Sequence, residues 1–227
     1  MDKQKAVVLL SGGLDSATCL AIAQHEDFDV YGVTFDYGQR HNIELDAAKR
    51  IADRANIPLL TIRFDMRLWG GSALTSDDID VPHNVGGDHD TAPVTYVPAR
   101  NLIFLSFGVS YAETLGAKDI FVGVNSMDYS GYPDCRDAFV KSFQQTATLG
   151  TKAIDENWQF NIHAPLQFMK KSEIIRRGLD LGVDYSLTHS CYSPDPDGFP
   201  CEECDSCTLR IRAFAELGMR DPALRKA

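Results

Sequence analysis

An apolar run, Ala6-Val7-Val8-Leu9-Leu10, stops at Ser11-Gly12-Gly13-Leu14-Asp15-Ser16 and gives way to Ala17-Thr18-Cys19-Leu20. No other segment constrains the fold so tightly. Five consecutive apolar residues bounded by turn residues read as a strand buried on both faces, and such strands belong to parallel sheets covered by helices. The two glycines let the chain turn sharply and let a ligand approach the main chain. The stretch from Ala17 to Gln24 reads as a helix. N–H groups at its start lack intrahelical partners and lie at the positive end of the helix dipole, so the turn is built to bind an anion. Ser11 and Ser16 add hydroxyl donors. The spacing is neither G-x-x-x-x-G-K-[ST] nor G-x-G-x-x-G, which excludes the Walker and dinucleotide loops.

The remaining chain repeats the alternation. Strands are expected at Val30–Phe35, Leu59–Phe64, Asp119–Val124 and Phe160–His163. Helices are expected at Glu44–Ala55, Asn101–Leu115, Asp137–Leu149, Ser172–Leu181 and Thr208–Leu217. Gly116 and Gly182 stand where helix ends need a left-handed residue. This order predicts a doubly wound α/β sheet with ligands beyond the carboxyl ends of its strands. Residues 1–185 read as the α/β domain and 186–227 as a cysteine-bearing appendage packed on it. Asp65–Pro98 is too long for an ordinary connection, and reads as a lid or as an unstructured insertion.

The chain has 227 residues and a formal charge of −10. That size supports a core without staples. The acidic balance argues against a nucleic-acid surface, which needs a basic face. Leu102–Val109 is too short to cross a membrane, and Ala6–Leu10 is too short for a signal peptide. A cytoplasmic protein with reduced thiols is expected.

Four of the six cysteines, Cys191, Cys201, Cys204 and Cys207, form C-x9-C-x2-C-x2-C. Four thiolates at this spacing suit a closed, structural Zn²⁺ site, while an iron–sulfur cluster uses similar spacing. Glu202, Glu203 and Asp205 lie between the ligands and disfavour contact with phosphate backbones.

Several segments fall just after strands or at helix starts. Phe35-Asp36-Tyr37-Gly38-Gln39-Arg40-His41 follows the second strand beside the anion-binding turn and is a candidate lining for the rest of the ligand. Arg100, in Val97-Pro98-Ala99-Arg100-Asn101, suits a two-pronged bond to phosphate or carboxylate. The segment from Asn125 to Arg136 follows the fourth strand. Its Asp128 and Asp134 can accept N–H bonds from a guanine-like edge, its Tyr132 can cover a planar base, and Arg136 can hold a carboxylate. Lys171, with Lys170 as the alternative, opens a helix within reach of a phosphate. Cys135 is a candidate nucleophile without an assignable base.

Ser11–Ser16 matches the S-G-G-x-D-S loop of the pyrophosphatase-loop ATP enzymes, which are adenine nucleotide α-hydrolase-like. Phe35–His41, Ser130-Gly131-Tyr132-Pro133-Asp134-Cys135-Arg136-Asp137 and Ser190-Cys191-Tyr192 with the three later cysteines narrow the likeness. Together they resemble the 7-cyano-7-deazaguanine synthase family of queuosine biosynthesis over nearly the whole chain. The family usually has glycine where this chain has Ala99, a residue that resists positive φ.

The resemblance implies a ligase acting on ATP, 7-carboxy-7-deazaguanine and free ammonia through adenylated carboxylate and amide intermediates. It implies structural zinc at the four cysteines, Mg²⁺ on the phosphates and a homodimer. Nucleotide binding falls on Leu10, Ser11, Gly12, Gly13, Leu14, Asp15, Ser16, Ala17, Thr18, Cys19 and Leu20. Catalysis falls on Asp15, Ser16, Arg100 and Lys171, and substrate binding on Asp128, Gly131, Tyr132, Asp134 and Arg136. The competing readings are a tRNA-modifying enzyme with the same loop, and a zinc-ribbon nucleic-acid-binding protein whose loop senses ATP.

Overall fold

The computed structural model describes residues 3–83, 92–127 and 131–225. Strands β1 (Lys5–Leu9), β2 (Asp29–Asp36), β3 (Leu59–Arg63), β4 (Asp119–Phe121) and β5 (Asn161–His163) form one sheet in the order β3-β2-β1-β4-β5. Every pairing is parallel. Helices α1 (Leu14–His25), α2 (Ile43–Ala55), α3 (Arg100–Leu115), α4 (Asp137–Leu149), α5 (Lys171–Asp180) and α6 (Asp205–Glu216) complete the expected doubly wound α/β architecture.

The apolar run of β1 feeds both faces of the sheet. Val7 and Leu9 join Val33, Phe35, Leu105 and Ile120 in one buried cluster, on the side of α3 and α4. Ala6, Val8 and Leu10 join Leu20, Phe121, Ile174 and Phe214 in the other, on the side of α1, α5 and α6. Alternating side chains point to opposite faces, so a strand covered twice must be apolar throughout.

Chain order reverses beside β1, whose neighbours are β2 and β4. Connections leave these strands on opposite sides and open a crevice at their carboxyl ends. Two glycines let α1 begin inside it. Gly12 has φ +90, and a Cβ there would lie 2.2 Å from the Glu44 carbonyl oxygen. A Cβ on Gly123 would lie 3.1 Å from the Asp15 carbonyl carbon and the Ser16 nitrogen.

Three boundaries differ from expectation by three residues, and the other differences are of one residue. Helix α1 starts at Leu14 rather than Ala17, with Gly13 as its N-cap, so Asp15 and Ser16 belong to its first turn. Strand β4 stops at Phe121 rather than Val124 because the chain swings past the α1 N-terminus at Gly123. Helix α6 starts at Asp205 rather than Thr208 because Cys204 is its N-cap, and the Thr208 N–H donates to the Cys204 carbonyl at 2.9 Å.

The described parts of the long connection, 65–83 and 92–98, are packed rather than loose. Met66, Ala73, Leu74, Val81 and Val97 are buried in the core. Arg40 donates to the Ser76 and Ile79 carbonyls at 2.8 and 2.7 Å.

Candidate active site

A cavity of about 200 Å³ occupies the crevice at the carboxyl ends of β1, β2 and β4. Its apolar wall comes from Leu9, Phe35, Phe104 and Val122, and Phe35 and Phe104 stack with ring centroids 4.0 Å apart. Ser11, Gly13, Leu14, Asp15 and Ser16 line the opposite side. Ser11 Oγ donates to Ser16 Oγ at 3.1 Å, and Ser16 Oγ donates to the Gly13 carbonyl at 3.0 Å. These bonds brace the turn at the N-terminus of α1, where a helix start favours an anion.

Lys171 reaches the loop from α5. Its Nζ lies 2.9 Å from both carboxylate oxygens of Asp15, with only 9% of its side chain exposed. Helix α5 fixes it: the Lys170 N–H donates to Glu173 Oε2 at 2.8 Å, while the Lys170 side chain itself is exposed. Ahead of α5, Asn125 Nδ2 donates to the carbonyls of Leu166 and Met169 at 2.9 and 2.6 Å, tying this approach to the loop after β4.

Arg100 and Asn101 enter at the start of α3. Ala99, the N-cap, adopts φ 57 and ψ 20, a left-handed conformation. The backbone path that a glycine would take is kept, with alanine bearing the strain. Asp134 explains how α3 is set. Its Oδ2 accepts from the Asn101 N–H at 2.9 Å, satisfying a first-turn donor. Tyr132 lines the cavity, its hydroxyl 2.7 Å from Thr95 Oγ1.

Several residues assigned from sequence stand elsewhere. Leu10, Gly12, Ala17, Thr18, Cys19 and Leu20 do not line the cavity. Leu10, Ala17, Cys19 and Leu20 are core, and Thr18 Oγ1 lies 2.8 Å from the Tyr185 hydroxyl. Asp134 is turned to α3, Arg136 is the exposed N-cap of α4, and Gly131 is buried outside the lining. Asp128 lies outside the described residues.

Cys135 lines the cavity, but burial, with Asp134 beside it, pushes its thiol up to about 12. A neutral thiol is a poor nucleophile, so covalent catalysis there is disfavoured.

Sequence reasoning passed over Glu44, His189 and Arg210, all in the lining. Glu44 was legible only as a helix start. It carries no ion pair among the described residues, and burial raises its carboxyl to about 7 against the pull of Arg100. Burial and the neighbouring His41 depress His189 to about 4, which keeps it neutral at physiological pH.

The four cysteine sulfurs lie within 4.8 Å of one another, and all six cysteines are free thiols. The Ser193 and Cys201 N–H groups donate to Cys191 Sγ at 3.4 and 3.2 Å, and the Cys204 N–H to Cys201 Sγ at 3.3 Å. Hydrogen bonds from Cys191 and Cys207 hold the Cys204 thiol well below its ordinary range. Donors aimed at sulfur favour thiolates, and the set fits a tetrahedral metal with all four positions filled by protein.

Fold and cavity together define a doubly wound parallel α/β protein with a pocket at the switch point of its sheet. Among solved structures, a 4-thiouridine synthetase in complex with RNA and bound ATP superposes with a TM-score of 0.54 at 18% identity, over 93% of this chain and 53% of that one. That likeness shows the fold alone. The family model for queuosine biosynthesis protein QueC matches residues 5–218. A 7-cyano-7-deazaguanine synthase of Syntrophotalea carbinolica is 56% identical over 97% of this chain and 96% of its own. Another, of Paramagnetospirillum magneticum, is 58% identical over 96% of this chain and 97% of its own. The chain belongs to the QueC family.

Proposed function

We propose that this chain is an ATP-dependent carbon–nitrogen ligase that converts 7-carboxy-7-deazaguanine and ammonia into 7-cyano-7-deazaguanine. The observation that carries the reading is the Ser11–Ser16 turn at the switch point of the sheet, bridged by Lys171 to Asp15, in a chain more than half identical to synthases of that name. A carboxylate oxygen is a poor leaving group. Transfer of AMP from ATP to that oxygen releases pyrophosphate and makes the carbonyl displaceable. Ammonia then expels AMP and leaves the amide. A second transfer, to the amide oxygen, lets loss of AMP and a proton form the nitrile.

The protein positions groups and stabilises charge. Loop N–H groups and Lys171 receive the departing pyrophosphate, and Arg100 holds the reacting phosphate or carboxylate. Tyr132 covers the base. Glu44 accepts a proton as the nitrogen loses its hydrogens, a role its raised pKa suits. Asp15 would help hold Mg²⁺ on the phosphates, where the ion would supply further neutralisation. Cys191, Cys201, Cys204 and Cys207 would hold a structural Zn²⁺, which would tie residues 186–227 to the domain of residues 1–185. The enzyme works as a cytoplasmic homodimer without nucleic acid, in keeping with its net charge of −10.

Incubation with the carboxylic acid, ATP, Mg²⁺ and ammonium, followed by mass analysis, tests the reading. The nitrile is expected together with AMP. Release of ADP, or ATP turnover only with tRNA present, would overturn it.

A further inference from the structure

Ser190 and Arg210 are assigned no part in the reaction outlined above, yet both line the cavity. Arg210 is 5% exposed and lies on α6, three residues after Cys207. Its guanidinium is fixed from several sides. Nε and Nη2 donate to the two oxygens of Asp221 at 2.7 and 2.9 Å, and Nη2 also donates to the Tyr185 carbonyl at 2.9 Å. Nη1 donates to Thr188 Oγ1 at 2.7 Å and, at 3.4 Å, to Ser190 Oγ. Ser190 Oγ also accepts the Leu14 N–H at 3.5 Å. Leu14 is the first residue of α1, so this N–H is one the helix itself leaves unpaired.

A serine hydroxyl has two acceptor sites and one proton to donate. Both acceptor sites of Ser190 face N–H groups, one from the loop and one from Arg210. The proton is left for a third partner, and no acceptor takes it among the described residues. The residue's neighbours hold it in place. The His189 N–H donates to the Gly12 carbonyl at 2.9 Å, and Cys191, the next residue, belongs to the thiol cluster.

We propose that Ser190 is a phosphoryl-oxygen donor of the nucleotide site and that Arg210 is the positioning residue that aims its hydroxyl. Cys191 and Cys207 anchor the two residues, so the metal cluster sets the donor's place beside the loop. The proposal rests on the reading of Ser11–Ser16 as a pyrophosphate-binding turn.

The test is equilibrium titration of the zinc-loaded protein with ATP and with inorganic pyrophosphate, alongside zinc content and melting temperature. Ser190→Ala is expected to weaken both ligands about tenfold, with zinc content and melting unchanged. Ser190→Thr keeps the hydroxyl and is expected to restore most of the affinity. Arg210→Lys keeps the charge but loses the fork, and is expected to weaken pyrophosphate while KM for ATP rises more than kcat falls. Wild-type affinity in Ser190→Ala would overturn the proposal, as would loss of zinc from that variant, since the hydroxyl would then serve the cluster. If the wild-type chain binds neither ATP nor pyrophosphate, the functional reading fails together with the proposal.

Discussion

Glu44 is the residue whose charge the fold alters most visibly near neutrality. Its carboxyl ionises near 4.5 in the unfolded chain and holds its proton to about 7 in the folded one. The folded state therefore binds the extra proton between these values. Stability falls as pH rises through that window and is level above it, with a total cost of roughly 3 kcal/mol. Glu44→Gln removes the cost. The variant should gain up to about 3 kcal/mol at pH 8 and little at pH 5, read by thermal melting at each pH, while nitrile formation falls by about 100-fold. Ala99 is the second residue under strain. Its φ of 57 suits glycine, so Ala99→Gly should raise unfolding stability by about 1 kcal/mol in a denaturant titration, with activity retained.

At the scale of elements, the site is a meeting of helix starts. Helix α1 brings Asp15, α2 brings Glu44, α3 brings Arg100 and α5 brings Lys171. The bridge between α1 and α5 joins residues 156 apart in the chain. Lys171→Met should remove the cation from the loop and leave Asp15 without its partner. AMP release is expected to fall by at least about 100-fold, with stability lower by about 3 kcal/mol, measured by AMP assay and melting. The strand–turn–helix unit was legible because its signals lie next to one another: an apolar run, two glycines, then small helical residues. The start of α6 was not, because what opens it is Cys204, whose role as a cap depends on the fold of the thiol knuckle. The contact that Asp134 makes was hidden for a similar reason. As a carboxylate in a turn it suggests a base reader, and only the approach of α3 shows that it serves the Asn101 N–H.

For the whole molecule, the thiol cluster stands between the C-terminal segment and the sheet. Cys191, Cys204 and Cys207 are buried in the same core cluster as Val7 and Leu9. The pair of Arg210 and Asp221, with side chains 6% and 1% exposed, closes the segment from the other side. Cys204→Ser should therefore lower metal content and stability together, with a melting temperature about 10 °C lower, read by elemental analysis and calorimetry.

The sequence by itself determined the parallel α/β class, the strand–glycine–helix turn at Ser11–Ser16 and the four-thiol set. Each depends on spacing between near neighbours, and local spacing obeys local rules. Tertiary structure alone decided which lysine meets Asp15, that Glu44 faces the cavity, that Leu10 and Ala17–Leu20 turn to the core, and that Arg210 stands behind Ser190. These depend on which distant segments the packed sheet brings together, and on how much water that packing removes from each charge.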